Sequence, residues 1–290
     1  VSAGSLTGVY HGSATWGDYD NDGDLDILLT GYENSGLTPF TAIYQNTDSG
    51  FVTDTVASQN LTGVANGSAA WGDYDNDGDL DILLTGNNLA AVYRNTGSGF
   101  ITDTAASQVL PNVSLGSNGV WGDYDNDGDL DILLTGFSMG YRAEVYENTG
   151  GRFSLYTDRL TGVVNGSVAW GDYDNDGDLD ILLTGSNNAG HVAEVYENEG
   201  DGFSPTAGAH YLTGVDRGSA AWGDYDGDGD LDVLLTGEDR DDNRVAKIYR
   251  NEDCNVDFAL AKTADPDPVV AGTALTYTLA VTNRGNGPIA

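Results

Sequence analysis

The stretch Trp16-Gly17-Asp18-Tyr19-Asp20-Asn21-Asp22-Gly23-Asp24-Leu25-Asp26-Ile27-Leu28-Leu29-Thr30-Gly31 returns almost letter for letter from Trp71, Trp121, Trp170 and Trp222. These five tryptophans are all the chain has, at spacings of 55, 50, 49 and 52 residues. A period of about 50 residues narrows the fold to a few repeat architectures, solenoids and propellers foremost. Each copy is then one supersecondary unit that buries its apolar face against its neighbours.

The unit reads as four short strands with no helical period. Small residues precede each Trp, as in Gly12-Ser13-Ala14-Thr15, and suit a strand packed close to its neighbours. The third copy departs from this lead-in with Leu110-Pro111-Asn112-Val113. Asp-Ile-Leu-Leu-Thr-Gly (Val233 replacing Ile in the fifth copy) is too short for a helix and apolar on both faces, as a strand between two sheets must be. Variable stretches follow at residues 32–41, 87–90, 137–142, 186–192 and 238–245. A third strand then ends at Tyr44, Tyr93, Tyr146, Tyr196 or Tyr249, each followed two residues later by Asn. A Gly-rich turn leads to Phe51, Phe100, Phe153 or Phe203 and a fourth, less regular strand. Four-stranded units repeated radially are β-propeller blades. A linear β-solenoid is the alternative, but its repeats are usually shorter. The expectation is an all-β propeller over residues 1–251.

The pattern breaks after Asn251, where Glu252-Asp253-Cys254 replaces the Gly-rich turn and Pro266-Asp267-Pro268 lies just beyond. Residues 252–290 read as a linker and the start of a truncated sandwich domain, with a strand at Thr276–Asn283. So short a segment cannot build its own core. The single cysteine, Cys254, allows no intrachain disulfide. No run of 18 apolar residues is present, so no helix crosses a bilayer. The chain starts Val-Ser-Ala-Gly without an initiator Met and is expected to be a piece of a longer product.

Acidic residues outnumber basic ones 46 to 11, for a formal charge of −35. That balance argues against nucleic acid and anionic membranes, whose phosphates demand Lys and Arg. The charge is local: five aspartates in each of five loops account for 25 of the 46 acids. Carboxylates at this density repel one another unless a cation sits among them.

In the first loop carboxylates occupy positions 1 (Asp18), 3 (Asp20), 5 (Asp22) and 9 (Asp26), with Gly23 at position 6 and Asp24 at position 7. Odd positions put side-chain oxygens inside a curled loop, Gly permits the sharp turn, and position 7 can offer its carbonyl. The corresponding sets are Asp73, Asp75, Asp77, Asp79 and Asp81; Asp123, Asp125, Asp127, Asp129 and Asp131; Asp172, Asp174, Asp176, Asp178 and Asp180; and Asp224, Asp226, Asp228, Asp230 and Asp232. All-oxygen donors without His or Cys exclude a dedicated Zn or Cu site and favour Ca²⁺ over the more rigid Mg²⁺, with Mn²⁺ left open. An EF-hand needs a Glu at position 12, where this chain has Leu29, Leu84, Leu134, Leu183 or Leu235, and helices on either side. That reading fails. Five calcium sites are expected, which would bring the formal charge from −35 to −25. Extracellular loops of this type bind with dissociation constants of about 0.1–1 mM, a range suited to the outside of the cell.

Asp-x-Asp-x-Asp-Gly-x-x-Asp between strands, in repeats ending Thr-Gly, resembles the FG-GAP (VCBS-type) repeat of integrin α-subunit propellers and many bacterial surface proteins. The resemblance covers roughly residues 1–251 and implies metal ligands at positions 1, 3, 5, 7 and 9 of each copy. Propellers of that family usually have seven blades, so five motifs imply either a five-bladed ring or part of a larger one. The tail, with Ala261-Lys262-Thr263-Ala264-Asp265-Pro266 and Thr276-Tyr277-Thr278-Leu279-Ala280-Val281, resembles the DUF11-type sandwich repeat of large bacterial exported proteins. The implied role is an extracellular binding or adhesion module of a larger surface or secreted protein.

In an up-and-down blade the variable loops lie on the face opposite the aspartate loops, and variation on a repeated scaffold is where recognition usually resides. Tyr32, Phe40, Phe137, Met139, Tyr141, His191, Arg240 and Arg244 are the candidate contacts for a protein or glycan ligand, against the plainer reading of solvated loop tips. The repeated Trp and Tyr are expected in the core. A lectin is the first alternative, and a polysaccharide lyase or glycosidase the second. The chain is expected not to be an enzyme: His11, His191 and His210 are its only histidines, it has no nucleophile elbow, and its aspartates are committed to metal.

Overall fold

A computed structural model describes residues 5–33, 37–157, 159–206, 212–251, 258–265 and 276–283, the last two spans as backbone only. The chain is an all-β propeller of five blades. Blade one holds β1 (Val9–Tyr10), β2 (Ala14–Gly17), β3 (Asp26–Glu33), β4 (Thr38–Gln45) and β5 (Val52–Asp54). Blade two is β6 (Ala69–Gly72), β7 (Asp81–Gly86), β8 (Leu89–Asn95) and β9 (Phe100–Thr102). Blade three is β10 (Ser114–Gly122), β11 (Asp131–Phe137), β12 (Tyr141–Asn148) and β13 (Phe153–Thr157). Blade four is β14 (Val168–Gly171), β15 (Asp180–Asn187), β16 (Gly190–Asn198) and β17 (Phe203–Pro205). Blade five shows three strands among the described residues, β18 (Asp216–Gly223), β19 (Asp232–Glu238) and β20 (Arg244–Tyr249). A separate antiparallel pair follows, β21 (Phe258–Asp265) with β22 (Thr276–Asn283). Cys254 and His210 lie outside the described residues.

Pairing within each blade is antiparallel and in sequence order, as Trp16↔Ile27 and Ile27↔Tyr44 illustrate. The aspartate loop joins the first two of these strands at Asp26, and the variable loop leaves the opposite end of β3 at Glu33. An eight-residue strand rises about 26 Å, so the two loop sets occupy opposite faces of the propeller.

The core lies between blades rather than within them. Alternate side chains of each second strand point to opposite neighbours. Leu28 and Ile43 of blade one pack with Ile82, Leu84 and Tyr93 of blade two. Leu83 and Val92 then meet Ile132, Leu134 and Tyr146 of blade three, and the scheme repeats to Val233 and Leu235 of blade five. Tyr19 stacks on Trp71, Tyr74 on Trp121 and Tyr124 on Trp170, with interplanar angles of 8°, 6° and 11°, and these pairs seal the seams; Trp16 and Tyr225, expected in the core with the others, are instead exposed.

The strands are laced around the axis by one residue per blade in left-handed backbone conformation: His11, Asn66, Gly116, Asn165 and Arg217. Asn66 donates its N–H to the His11 carbonyl, Gly116 to Asn66, Asn165 to Gly116 and Arg217 to Asn165, over 2.8 to 3.1 Å. All five residues line one axial cavity of about 360 Å³.

The sequence carries no helical period, and the structure corrects that reading at two single turns, α1 (Thr55–Ser58) and α2 (Thr104–Ser107). Each follows the fourth strand and is capped by an aspartate: Asp54 accepts from the N–H groups of Val56 and Ala57, Asp103 from those of Ala105 and Ala106. The other oxygen of each cap accepts from the hydroxyl of Tyr19 or Tyr74. One turn is too short to leave a periodicity.

Candidate metal centres

Each aspartate loop is curled by its own backbone. The position-6 glycines have φ between 93° and 99°, a left-handed region that only Gly enters at little cost. Position 4 is also left-handed, with Asn21, Asn76 and Asn126 at 58°, Asn175 at 61° and Gly227 at 76°. The position-1 carboxylate accepts from the position-6 N–H in all five copies, at 3.0 Å for Asp18 and Gly23. Position 5 accepts from the N–H of position 7 in all five, at 2.9 Å for Asp22 and Asp24. These bonds turn the carboxylates inward before any ion is considered.

Position 9 has a second task. Asp26 accepts from the N–H of Tyr19 and from the N–H of Asn46 at the end of the third strand, and Asp81, Asp131, Asp180 and Asp232 do the same in their blades. It is fully or almost fully buried. Burial outweighs the two hydrogen bonds and pushes Asp81 and Asp131 up to about 7, and Asp26 and Asp180 up to about 6. Burial likewise raises Asp75, Asp125 and Asp174, with the neighbouring carboxylates adding to it. Raised carboxylates side by side are what a site for a cation produces when considered without its ion.

The loops gather oxygens closely enough to share one ion. Single carboxylate oxygens of Asp18, Asp20 and Asp22 lie within 4.8 Å of one another, as do those of Asp73, Asp75 and Asp81; Asp123, Asp125 and Asp127; Asp172, Asp174 and Asp180; and Asp224, Asp226 and Asp232. Buried Oδ1 atoms of Asp75, Asp123 and Asp172 have no hydrogen-bond partner, a costly state for a carboxylate. Hard, inward-turned, unpartnered oxygens fit a divalent cation such as Ca²⁺. The fifth loop differs, because Arg250 pairs with Asp226 and Asp228, both at 2.8 Å, and holds Asp228 below the usual carboxylate range.

Position 7 serves the blade boundary. Asn21 donates to Asp79, Asn76 to Asp129, Asn126 to Asp178 and Asn175 to Asp230, at 2.7 to 2.8 Å. Asn95, Asn148, Asn198 and Asn251 donate across the same boundaries to the carbonyls of Tyr19, Tyr74, Tyr124 and Tyr173. Reading single copies assigns these asparagines no role; their recurrence at two fixed positions, broken only by Gly227 in the fifth loop, is the signal that marks them.

The candidate ligand contacts are spread over several blades. The Tyr32 hydroxyl accepts from Asn66 and Asn87 of blade two, and Phe40 packs on the blade-one core. Phe137 meets Tyr141 edge-on, and the Tyr141 hydroxyl donates to Asn188 of blade four. Met139 is 96% exposed, and Arg244 is also exposed. His191 and Arg240 come together in a cavity of about 450 Å³ at the junction of blades four and five, lined also by Glu194. The His191 Nδ1 is buried there without a partner.

The FG-GAP-like repeat model matches residues 18–84, 73–134, 123–183 and 172–235. The chain belongs to the FG-GAP-like repeat family. No curated protein matches it by sequence. Among solved structures, this FG-GAP chain is similar to an Agrocybe aegerita lectin described for specific recognition of non-reducing terminal N-acetylglucosamine, with 18% identity and a TM-score of 0.50. That match covers 79% of the chain and spans 61% of the lectin. A GH62 hydrolase solved with xylotriose aligns at 9% identity and a TM-score of 0.44, over 84% of this chain and 90% of that one. Among the described residues no helix is long and apolar enough to cross a membrane.

Proposed function

We propose that this FG-GAP propeller is an extracellular binding module in which calcium stiffens one face and a glycan or protein is recognised, without turnover, on the other. Asp18, Asp20, Asp22 and Asp26 would hold the ion in blade one, with the carbonyl of Asp24, and the matching residues in the other blades. Bound calcium would offset the repulsion that a −35 chain concentrates in its loops. The observation that carries the metal reading is the set of buried, unpartnered oxygens on Asp75, Asp123 and Asp172. The binding reading rests on the cavity that joins His191 to Arg240, on the face away from the aspartate loops. The tail is read as the start of a DUF11-type domain, which fits a module within a larger surface or secreted protein.

N-Acetylglucosamine recognition by the lectin neighbour makes glycans the first ligand class to test. A glycan array probed with the whole chain in calcium and in EDTA, beside a hydrolase and lyase screen, separates the readings. Calcium-dependent retention of a glycan without cleavage supports the lectin form of the proposal. Polysaccharide cleavage refutes it, and a bare array directs the search to protein ligands.

A further inference from the structure

Blades three and four carry the same buried acid and differ by one cation. Two residues before the tyrosine near the end of the third strand, blades one and two have Ala42 and Ala91, whereas blades three and four have Glu144 and Glu194. Each glutamate accepts from the hydroxyl of that tyrosine, Tyr146 at 2.6 Å and Tyr196 at 2.5 Å. In blade three the charge is matched within the strand. Arg142 donates from Nη1 to Glu144 at 2.7 Å and from Nε to the Ser138 carbonyl at 3.1 Å, and Glu144 is 3% exposed. The equivalent of Arg142 in blade four is Val192: Arg142 stands opposite Gly136 and bridges to Val163 of the next blade, as Val192 stands opposite Gly185 and bridges to Val215. Valine offers no proton, and no ion pair reaches Glu194 among the described residues. A carboxylate drawn partly out of water without a cation is costly. Where blade three has a guanidinium, blade four has the cavity of about 450 Å³, lined by Val192 and Glu194 with Thr161 and Thr206. The Thr161 N–H donates to the Tyr196 hydroxyl at 2.9 Å and so fixes the phenol that holds Glu194. Arg240 leaves Glu194 unmatched, because its guanidinium covers Gly190 and its Nη2 lies 3.5 Å from the Ala189 carbonyl.

We propose that this cavity takes the guanidinium of an arginine side chain from a polypeptide ligand, seated on Glu194 as Arg142 is seated on Glu144. It rests on the reading of the cavity as the binding site and names the class of ligand bound there. Arginine matches a carboxylate with a planar fork of N–H donors that the point charge of lysine does not reproduce. A sugar hydroxyl would donate to Glu194 but leave its charge uncompensated. The buried Nδ1 of His191, which has no partner, is a further acceptor in the same cavity. Arg240 is exposed beside it and would donate to a backbone carbonyl of the incoming chain.

Titration calorimetry on the full chain, with calcium and at physiological salt, tests this with an end-blocked tripeptide centred on arginine and its lysine and citrulline counterparts. A chain of charge −35 attracts any cation, so the lysine peptide sets the unspecific level. The arginine peptide should bind at least about tenfold more tightly than either counterpart, and Glu194→Gln should remove that margin. Val192→Arg should abolish it as well, by rebuilding in blade four the ion pair of blade three. Met139→Arg adds the same charge outside the cavity lining and should leave the margin intact. Circular dichroism confirms that each variant is folded, and Glu194→Gln carries the test if Val192→Arg does not fold. Equal binding of the arginine and lysine peptides, or a margin that survives Glu194→Gln, overturns the proposal. A glycan that the native chain retains and Val192→Arg loses, with no preference for arginine, overturns the guanidinium assignment and leaves the cavity as the binding site. A captured ligand indifferent to Val192→Arg removes the cavity reading itself, and the proposal with it.

Discussion

Asn21 donates its side-chain amide to Asp79 Oδ1 at 2.8 Å, joining the aspartate loops of two successive blades. The same clasp recurs at three further boundaries. It makes position 4 of the loop, which holds no ion, an element of blade order. Asn126→Gly keeps the left-handed backbone and removes only the amide, and should lower stability by about 1 kcal/mol in urea unfolding. Gly227→Asn in the last loop should change it by less than about 0.5 kcal/mol, since no acceptor stands opposite it among the described residues.

The contact of Gly72 with Trp121 predicts a second asymmetry. Gly72→Ala sets a methyl group 2.6 Å from the indole and should cost about 1–3 kcal/mol through overpacking. Gly223→Ala, whose β-carbon would meet nothing within 4 Å among the described residues, should be near neutral. Equal losses in a thermal unfolding series would contradict the boundary geometry.

Calcium should raise the melting temperature, and EDTA should lower it. Each site contributes about 2.7 kcal/mol at a hundredfold excess over its dissociation constant. Titration calorimetry should resolve four similar sites and one weaker site, because Arg250 competes for Asp226 and Asp228 in the fifth loop. Arg250→Gln should bring that site into line with the others.

Burial raises Asp81 and Asp131 from an ordinary 3.8 to about 7. The metal-free native state then keeps protons that the unfolded chain has released, so stability should fall as pH rises from about 4 to 7. Below that window the carboxyls are neutral in both states and the penalty is absent. Calcium needs the ionised form, and its affinity should climb over the upper part of the same window. Melting curves at pH 5 and pH 8, each with calcium and with EDTA, test both signs.

On the variable face, His191→Ala and Arg240→Ala should each weaken retention of a captured ligand at least about tenfold, the loss of one charged or buried polar contact. Met139→Ser, outside the lining of that cavity and 96% exposed, should leave binding unchanged.

Much of the architecture was legible because the repeat is nearly exact. Asp-Ile-Leu-Leu-Thr-Gly, apolar on both faces, does lie between two sheets in blades two to four, and the position-6 glycines do occupy the left-handed turn. The helix turns at Thr55 and Thr104 escaped notice, since four residues capped by one aspartate leave no period. Tyr32 and Tyr141 read as surface contacts, but their hydroxyls bond asparagines of the next blade, partners 34 to 55 residues away that no local pattern names.

By itself, then, the sequence determined the blade: its strand order, its inward-curled aspartate loop and the two faces it presents, all set by spacing within one repeat. Only the tertiary structure decided how blades join. Trp121 over Gly72, Asn76 on Asp129 and the axial lacing through Asn66 and Gly116 link residues about one repeat apart. Such contacts depend on the rotation between blades, which packing sets and a linear pattern does not encode.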